Sequence, residues 1–337
     1  MATLPRISVA LCVHNGARWL PLQLESVLAQ EGVALEVVAL DDASTDGSLD
    51  LLHGYAARDP RVRVFSNEHN LGHLQSFERC MSLCVSELIA PCDQDDVWDV
   101  RKLALLAESL GDADLAYCDS EYIDSDGRPM GRRLSDDRVE MHAGRDALRY
   151  VFENTVSGHA LLVRRDVFER ARPFPQLLFH DWWLALQAAS GAGVVYLDRP
   201  LVKFRRHAAA SSSMGKSGKS GGASKQAHAE GDDDAPRKVK RHRSRNRRWV
   251  EQLMYVFDAM ATSHAPLRHV ALAWHLALRD ALNGRWSPLW RVVWRSRGSL
   301  PPWKGPRWWT AVAFYMRCVR KVIAARREAS LGPALFR

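Results

Sequence analysis

Residues 86–98 read Ser-Glu-Leu-Ile-Ala-Pro-Cys-Asp-Gln-Asp-Asp-Val-Trp, an apolar run of strand length that ends in three acids within four positions. Similar runs precede it. ISVALCV (7–13), LEVVALDD (35–42) and VRVFSN (62–67) are short, apolar and rich in β-branched residues, and DLAYCDSEYID (114–124) follows. Between them, residues 18–30, 45–59, 71–86 and about 100–110 place apolar side chains at helical spacing. Thr45 and Asp46 supply a cap signal for the second of these helices. Apolar strands alternating with helices of this length predict a mostly parallel sheet covered on both faces. Such sheets gather ligands at the carboxyl ends of their strands. His14–Asn15, Asp41–Asp42, Asn67–Asn70 and Asp93–Asp96 all lie just past a strand, so the four clusters are expected along one edge.

The 337 residues, 47% hydrophobic and 26% charged, are enough for a sizeable core. That composition excludes a wholly disordered chain, a collagen and a small disulfide scaffold. No apolar run approaches the roughly 18–20 residues of a spanning helix, which excludes a multi-span membrane protein. The N-terminus has no basic segment ahead of a long apolar stretch, so no secretory signal is expected. The six cysteines form no CxxC pair, and buried free thiols in a reducing cytoplasm are the economical expectation.

The net charge of +8 is unevenly spread. Residues 237–337 carry 22 Lys+Arg against 4 Asp+Glu, while residues 1–236 carry 25 against 35. An acidic front part is joined to a strongly basic end, which points to an anionic partner for that end.

Beyond Asp124, SDGRP marks a turn, residues 157–163 and 193–204 read as strands, and 181–190 as a helix. Residues 208–235, rich in Gly, Ser and Lys, read as a flexible linker or lid. From 236 onward the chain is basic and helical, over 249–262, 266–283 and 307–328. Eight of the twelve tryptophans lie there: Trp249, Trp274, Trp286, Trp290, Trp294, Trp303, Trp308 and Trp309. Trp with Arg suits an anionic membrane interface, where rings sit at headgroup level and cations meet lipid phosphates. The expected division is therefore 1–207, 208–235 and 236–337, in a cytoplasmic chain that is peripheral at the inner membrane face.

Asp93, Asp95 and Asp96 repel one another unless a cation neutralises them, and hard carboxylate oxygens favour Mg²⁺ or Mn²⁺ over zinc. A solvated acidic turn before the next helix, with Asp99 as its cap, is the plain alternative. Asp42 is either a turn residue or an acceptor for a pyrimidine ring N–H. Asp181, opening a helix after His180 and before Trp182-Trp183, is either a cap or a general base. His207 is either a surface histidine or a late metal ligand, with Arg205 and Arg206 binding phosphate. No GxGxxG, GxxxxGK[ST], GxSxG or HExxH is present, so dinucleotide redox, P-loop and the best-marked hydrolase chemistries have no support.

In order, ISVALCVHNGARWLPLQLESVLAQ, LEVVALDDASTDGS, NLGHLQSFERCMSLC, APCDQDDVW, SGHALLVRRDV, HDWWLALQAASG and YLDRPLVKFRRH resemble a family 2 glycosyltransferase of the GT-A nucleotide-diphospho-sugar fold, over about residues 6–207. CDQDDVW and HDWW look most like the rhamnosyltransferase-like bacterial branch. The resemblance implies an inverting transfer from a UDP- or dTDP-linked sugar to a glycan or lipid-linked acceptor, in surface polysaccharide assembly. It implies that Cys12, His14, Asn15 and Asp42 line the nucleobase pocket. Asp93 and Asp95 form the DxD pair, with His207 near the metal or diphosphate, and Asp181 is the base. His14 stands where the family usually has Tyr, and AlaAlaAlaSerSerSer follows His207 where an Asn- and Gly-containing loop is usual.

Three other readings compete. A sugar-nucleotide-forming nucleotidyltransferase resembles a Gly-rich N-terminal loop that CVHNGARW does not match. An inactive membrane-associated scaffold predicts a damaged acid cluster. A nucleic-acid binder has the RHRSRNRR run in its favour but no recognition motif beside it.

Overall fold

The computed structural model describes residues 4–207, 245–262, 267–301 and 307–329. The proposed linker and Trp303 lie outside the described residues. The chain runs β1 (Arg6–Val13), α1 (Leu20–Leu28), β2 (Ala34–Asp41), α2 (Ser48–Ala56), β3 (Val62–Ser66), α3 (His73–Leu83), β4 (Leu88–Cys92), β5 (Val97–Trp98) and α4 (Lys102–Leu110). It continues through β6 (Leu115–Ile123), β7 (Pro129–Arg133), α5 (Ala147–Phe152), β8 (Leu161–Arg164), α6 (Arg165–Ala171), α7 (His180–Ser190) and β9 (Val194–Arg205). Four helices follow: α8 (Arg245–Thr262), α9 (Arg268–Leu282), α10 (Ser287–Arg295) and α11 (Arg307–Ala329).

The strands form one sheet in the order β3-β2-β1-β4-β8-β6-β9-β5, with β7 paired to β6. Pairing is parallel among β3, β2, β1 and β4 and between β6 and β9. Strand β8 runs antiparallel between β4 and β6. The alternation of each strand's side chains fills both faces. Ile7, Val9, Leu11 and Val13 of β1 pack with α1, α2 and α4, while Ala10 faces the other way with Val38 and Leu40 of β2.

Segment 157–163, expected as one strand, divides into a single 3-10 turn (Gly158–Ala160) followed by β8. Asp46 does hold the start of α2, but from one residue before the Gly47 cap, through the Ser48 amide (3.1 Å) and hydroxyl (2.5 Å). Gly47 adopts φ 86°, a conformation that glycine takes without steric cost.

The basic helices are packed into the body of the protein. Phe152, at the end of α5, meets Phe257 of α8, Trp274 of α9 and Phe314 of α11 edge to face, with ring centroids 6.2, 5.2 and 4.8 Å away. One apolar cluster runs from Tyr117 and Leu161 of the sheet through Trp183 of α7 to Val250, Trp274 and Cys318. Packing therefore crosses the divide expected between 207 and 236. All six cysteines are free; five are buried and Cys12 is half-buried. Among the described residues, no helix is long and apolar enough to cross a membrane.

Candidate active site

The loops after β1 and β2 are locked together. The Asn15 carboxamide oxygen accepts the Thr45 amide (2.8 Å), and the Asn15, Gly16 and Ala17 amides donate to Ser44, Ser48 and Asp46 side chains. Asn15 and Ala43 both take left-handed backbones, φ 52° and 56°, where the two loops turn toward each other. The Gln94 side chain reaches back to pair with the His14 backbone, accepting its N–H (2.7 Å) and donating to its carbonyl (3.1 Å). Gly16 makes that reach possible, because a Cβ there would lie 2.4 Å from the Gln94 oxygen. The clusters expected along one edge are thus joined by hydrogen bonds.

Asp42 is buried and engaged. Its carboxylate accepts from the Asn67 side chain (2.6 Å) and from the Leu71 (2.8 Å) and Gly72 (3.0 Å) amides. Burial alone would push its pKa up, but these donors outweigh burial and hold it below the usual carboxylate range. Asp42 therefore staples the β3–α3 loop to the end of β2. His14 lies between the parts, with its ring Nδ1 2.8 Å from the Asp42 carbonyl and the Asn70 carboxamide 3.1 Å from Nε2.

The Asp93–Asp96 run is different. Asp96 is fully buried; its Oδ1 accepts the Arg205 amide (2.9 Å), while its buried Oδ2 has no partner. Asp93 faces His73 Nε2 at 3.9 Å and His159 Nδ1 at 4.0 Å. Burial raises Asp93, but the His73 imidazole beside it outweighs burial and brings it down to about 2. Asp95 pairs with His207 Nε2 at 2.6 Å, and the His207 ring lies 4.2 Å from that of Trp19. Burial and the nearby Asp93 charge still push Asp95 up, and burial with Asp95 and Asp93 raises Asp96 well above its ordinary value.

Asp93, Asp96 and His159 each offer a ligand atom within 4.8 Å of the others. Three carboxylates, an unpaired buried oxygen and two imidazoles (His159 and His207) suit a hard divalent cation of the Mg²⁺ or Mn²⁺ type.

Asp181 opens α7. Its Oδ2 accepts the Gly158 amide (3.1 Å) and its Oδ1 the Trp182 amide (2.6 Å). Burial dominates these two donors and pushes the carboxyl up to about 6, within the working range of a general base. The neighbouring imidazoles differ. Burial carries His180 down to about 3 and His159 to about 4, so both are neutral near pH 7. His73 is raised, because the Asp93 carboxylate close beside it, with the charge of Asp181, outweighs burial.

Not every expected site residue points into the cleft. Arg205 is buried, and its guanidinium donates to the carbonyls of Asp95 (2.8 Å), Asp124 and Ser125 (3.2 Å each). These donors hold the acidic loop rather than reaching toward a phosphate. The Arg206 guanidinium lies over Tyr122 and Phe204, 5.6 and 5.5 Å from the ring centres. Cys12 packs against the core cluster that contains Cys80 and Cys84, and burial raises its thiol well above the ordinary value.

His159, His73 and Lys102 carry no motif signal of their own in the sequence. His159 falls in a stretch with strand character, and His73 at the start of a helix. A histidine one residue after Gly158, inside a resemblance motif, was the signal available for the first.

The curled, mostly parallel sheet with acids at its strand ends and helices on both faces is the GT-A fold. Among solved structures, S. aureus TarS 1-349 in complex with UDP-GlcNAc superposes with a TM-score of 0.57 at 15% identity, covering 96% of this chain and 92% of that one. Mannosyltransferase PcManGT from Pyrobaculum calidifontis, in complex with GDP-Man and Mn2+, gives 0.54 at 16% identity, covering 97% and 87%. Residues 8–172 match the family model for Glycosyl transferase family 2, and this part of the chain is a family 2 glycosyltransferase domain. Putative glycosyltransferase EpsE of Bacillus subtilis (strain 168) is 35% identical over 100 residues, 29% of this chain and 36% of that protein. The dTDP-rhamnosyl transferase RfbG of Shigella flexneri is 24% identical over 211 residues, 58% of this chain and 71% of that protein. The chain spans about a third to a half of the length of the first curated relatives it matches.

Proposed function

We propose that the chain transfers a sugar from a pyrimidine nucleotide-sugar, UDP- or dTDP-linked, to a hydroxyl of a glycan or lipid-linked acceptor, with inversion at the anomeric carbon. The observation that carries this reading is the single turn Gly158–His159. It touches Asp181 on one side and faces Asp93 and Asp96 on the other.

In the proposed reaction the Asp181 carboxylate takes the acceptor O–H proton as that oxygen forms its bond to the anomeric carbon. The bond from that carbon to the diphosphate oxygen breaks, and its electron pair leaves with the nucleoside diphosphate. One displacement inverts the configuration. The base end of the donor lies along the His14, Asn15 and Asp42 edge. Asp93, Asp95, Asp96, His159 and His207 would hold a Mg²⁺ or Mn²⁺ ion, which when bound supplies charge stabilisation to a diphosphate leaving group. The names of RfbG and PcManGT support a nucleotide-sugar donor and the latter a metal, and surface polysaccharide assembly is the proposed setting.

The basic helices are proposed to rest on an anionic membrane face. Trp308, Trp309 and Met316 of α11 are 55, 44 and 50% exposed, beside exposed Arg317 and Arg320. In flotation with phosphatidylglycerol vesicles, the full chain is expected in the lipid fraction and a Trp308→Ala/Trp309→Ala variant depleted from it. Equal recovery defeats that part of the proposal.

A panel of nucleotide sugars with Mn²⁺ or Mg²⁺, read by released nucleoside diphosphate and by the anomeric configuration of the product, tests the reaction. A retained configuration would overturn inversion. An inactive protein across the panel would overturn the assignment.

A further inference from the structure

Lys102 is the first residue of α4 and is fully buried. Two general costs act there. A cation is disfavoured by the positive end of the helix dipole, and burial strips it of water. A methionine of similar length would incur neither. The surroundings of Lys102 offset both costs. The Lys102 ammonium donates to the His159 carbonyl at 2.6 Å and sits 3.1 Å from the centre of the Trp98 ring. It also lies in the field of Asp96 and Asp93.

The His159 carbonyl belongs to the same 3-10 turn whose other groups face the reaction. The Gly158 amide donates to Asp181. The His159 ring has Nε2 2.9 Å from the Ser120 hydroxyl and Nδ1 turned toward Asp93 and Asp96, and it stacks on Phe204 at 4.3 Å. The turn is closely packed, because a Cβ on Gly158 would meet His180 Nε2 at 2.5 Å. Loss of the ammonium therefore frees a carbonyl in a turn whose backbone is shared by the base side and the acid side.

We propose that Lys102 is a positioning residue that fixes the Gly158–Ala160 turn, and so sets the Asp181 carboxylate and the Asp93–Asp96 acids relative to each other. The proposal rests on the transferase reading above for its kinetic consequence, but not for its structural one.

Lys102→Met keeps the length of the side chain and removes both the charge and the donor. Two measurements on the full chain test it. The first needs no activity: in hydrogen exchange followed by mass spectrometry, a peptide covering 157–160 is expected to exchange at least tenfold faster in the variant, with the β1 peptide unchanged. The second is the pH profile of the transfer reaction. Losing the Gly158 hydrogen bond, which favours the charged carboxylate, should raise the acidic limb to higher pH, with kcat down about tenfold or more and donor KM within about threefold.

A merely structural lysine would lower thermal stability while leaving the acidic limb in place. Unchanged exchange at 157–160, or an unmoved limb in active enzyme, would overturn the proposal. Lys102→Gln, which keeps a shorter neutral donor, is the second variant. If neither variant folds, Lys102 is a core requirement and a separable positioning role is refuted. If the wild type releases no diphosphate, the transferase reading fails while the exchange result still decides the role of the turn.

Discussion

Two acidic runs end neighbouring parts of the same sheet, and they differ in how their oxygens are used. At the end of β2, the Asp42 carboxylate takes three donors from one loop, and its pKa falls. After β4, Asp96 keeps a buried oxygen with no partner, Asp95 meets one imidazole, and both are raised. A carboxylate held by several donors of one loop is a structural fastener. A group of carboxylates left short of donors in a buried place is costly in the ionised form until a cation joins it. The same residue type at equivalent topological positions has thus been given two tasks by its neighbours.

The contrast can be broken in a definite order. The largest effect is expected for Asp95→Asn: transfer should fall by more than about 10³-fold, as several kcal/mol of charge stabilisation are lost. The protein should stay folded by circular dichroism, and calorimetric titration should show loss of Mn²⁺ binding. Retained turnover would remove Asp95 from the site.

Next comes Asp181→Asn, with kcat lowered about 10²–10⁴-fold and donor binding kept. Its effect on stability should depend on pH. The Asp181 carboxyl is raised to about 6 in the folded protein from 3.8, so the folded state holds its proton more tightly than the unfolded state. That contribution is full below 3.8 and is lost as pH rises through about 6. Asparagine removes the ionisation but leaves one of the two amide donors facing its NH2, a loss of about 1–3 kcal/mol at every pH; the melting temperature of the variant relative to wild type should therefore be more favourable at pH 8 than at pH 4. A difference that does not change between pH 4 and pH 8 would contradict the burial argument. In wild type, transfer should rise with pH up to about 6 and then level, as the base loses its proton.

Asp42→Asn should act mainly on stability. An amide facing three donors leaves at least one of them unpaired, which costs about 1–3 kcal/mol in urea unfolding. A change smaller than that would mean that the loop is held elsewhere. The smallest effect is expected for Gly16→Ala, which pushes Gln94 off the His14 backbone and should raise donor KM a few-fold with kcat nearly unchanged. An equal fall in kcat would place the Gln94 contact in the transition state instead.

Much of this architecture was legible from pattern. The alternating strands, the longer helices and the placing of the four polar clusters on one edge need only period and strand-end position. The shortest elements escaped: β5 has two residues, α5 six and α6 seven, and a window of 11–18 residues averages them away. The surroundings of Arg205 were not legible for another reason. A strand-end arginine before a basic pair reads as a phosphate ligand, but β9 runs beside β6, and the side chain turns inward to three carbonyls.

Local sequence determined the sheet class, the family and the identity of the acids, because side-chain period and strand-end chemistry are properties of neighbouring residues. Only the tertiary structure decided which acid is satisfied and which keeps a buried oxygen without a hydrogen-bond partner. It joined Lys102 to the His159 carbonyl 57 positions away, and Gly158 to Asp181 across 23. It also packed the basic helices onto Phe152. Hydrogen-bond partners and burial belong to residues brought together by packing, and burial is what moves a carboxyl to the pKa of a base.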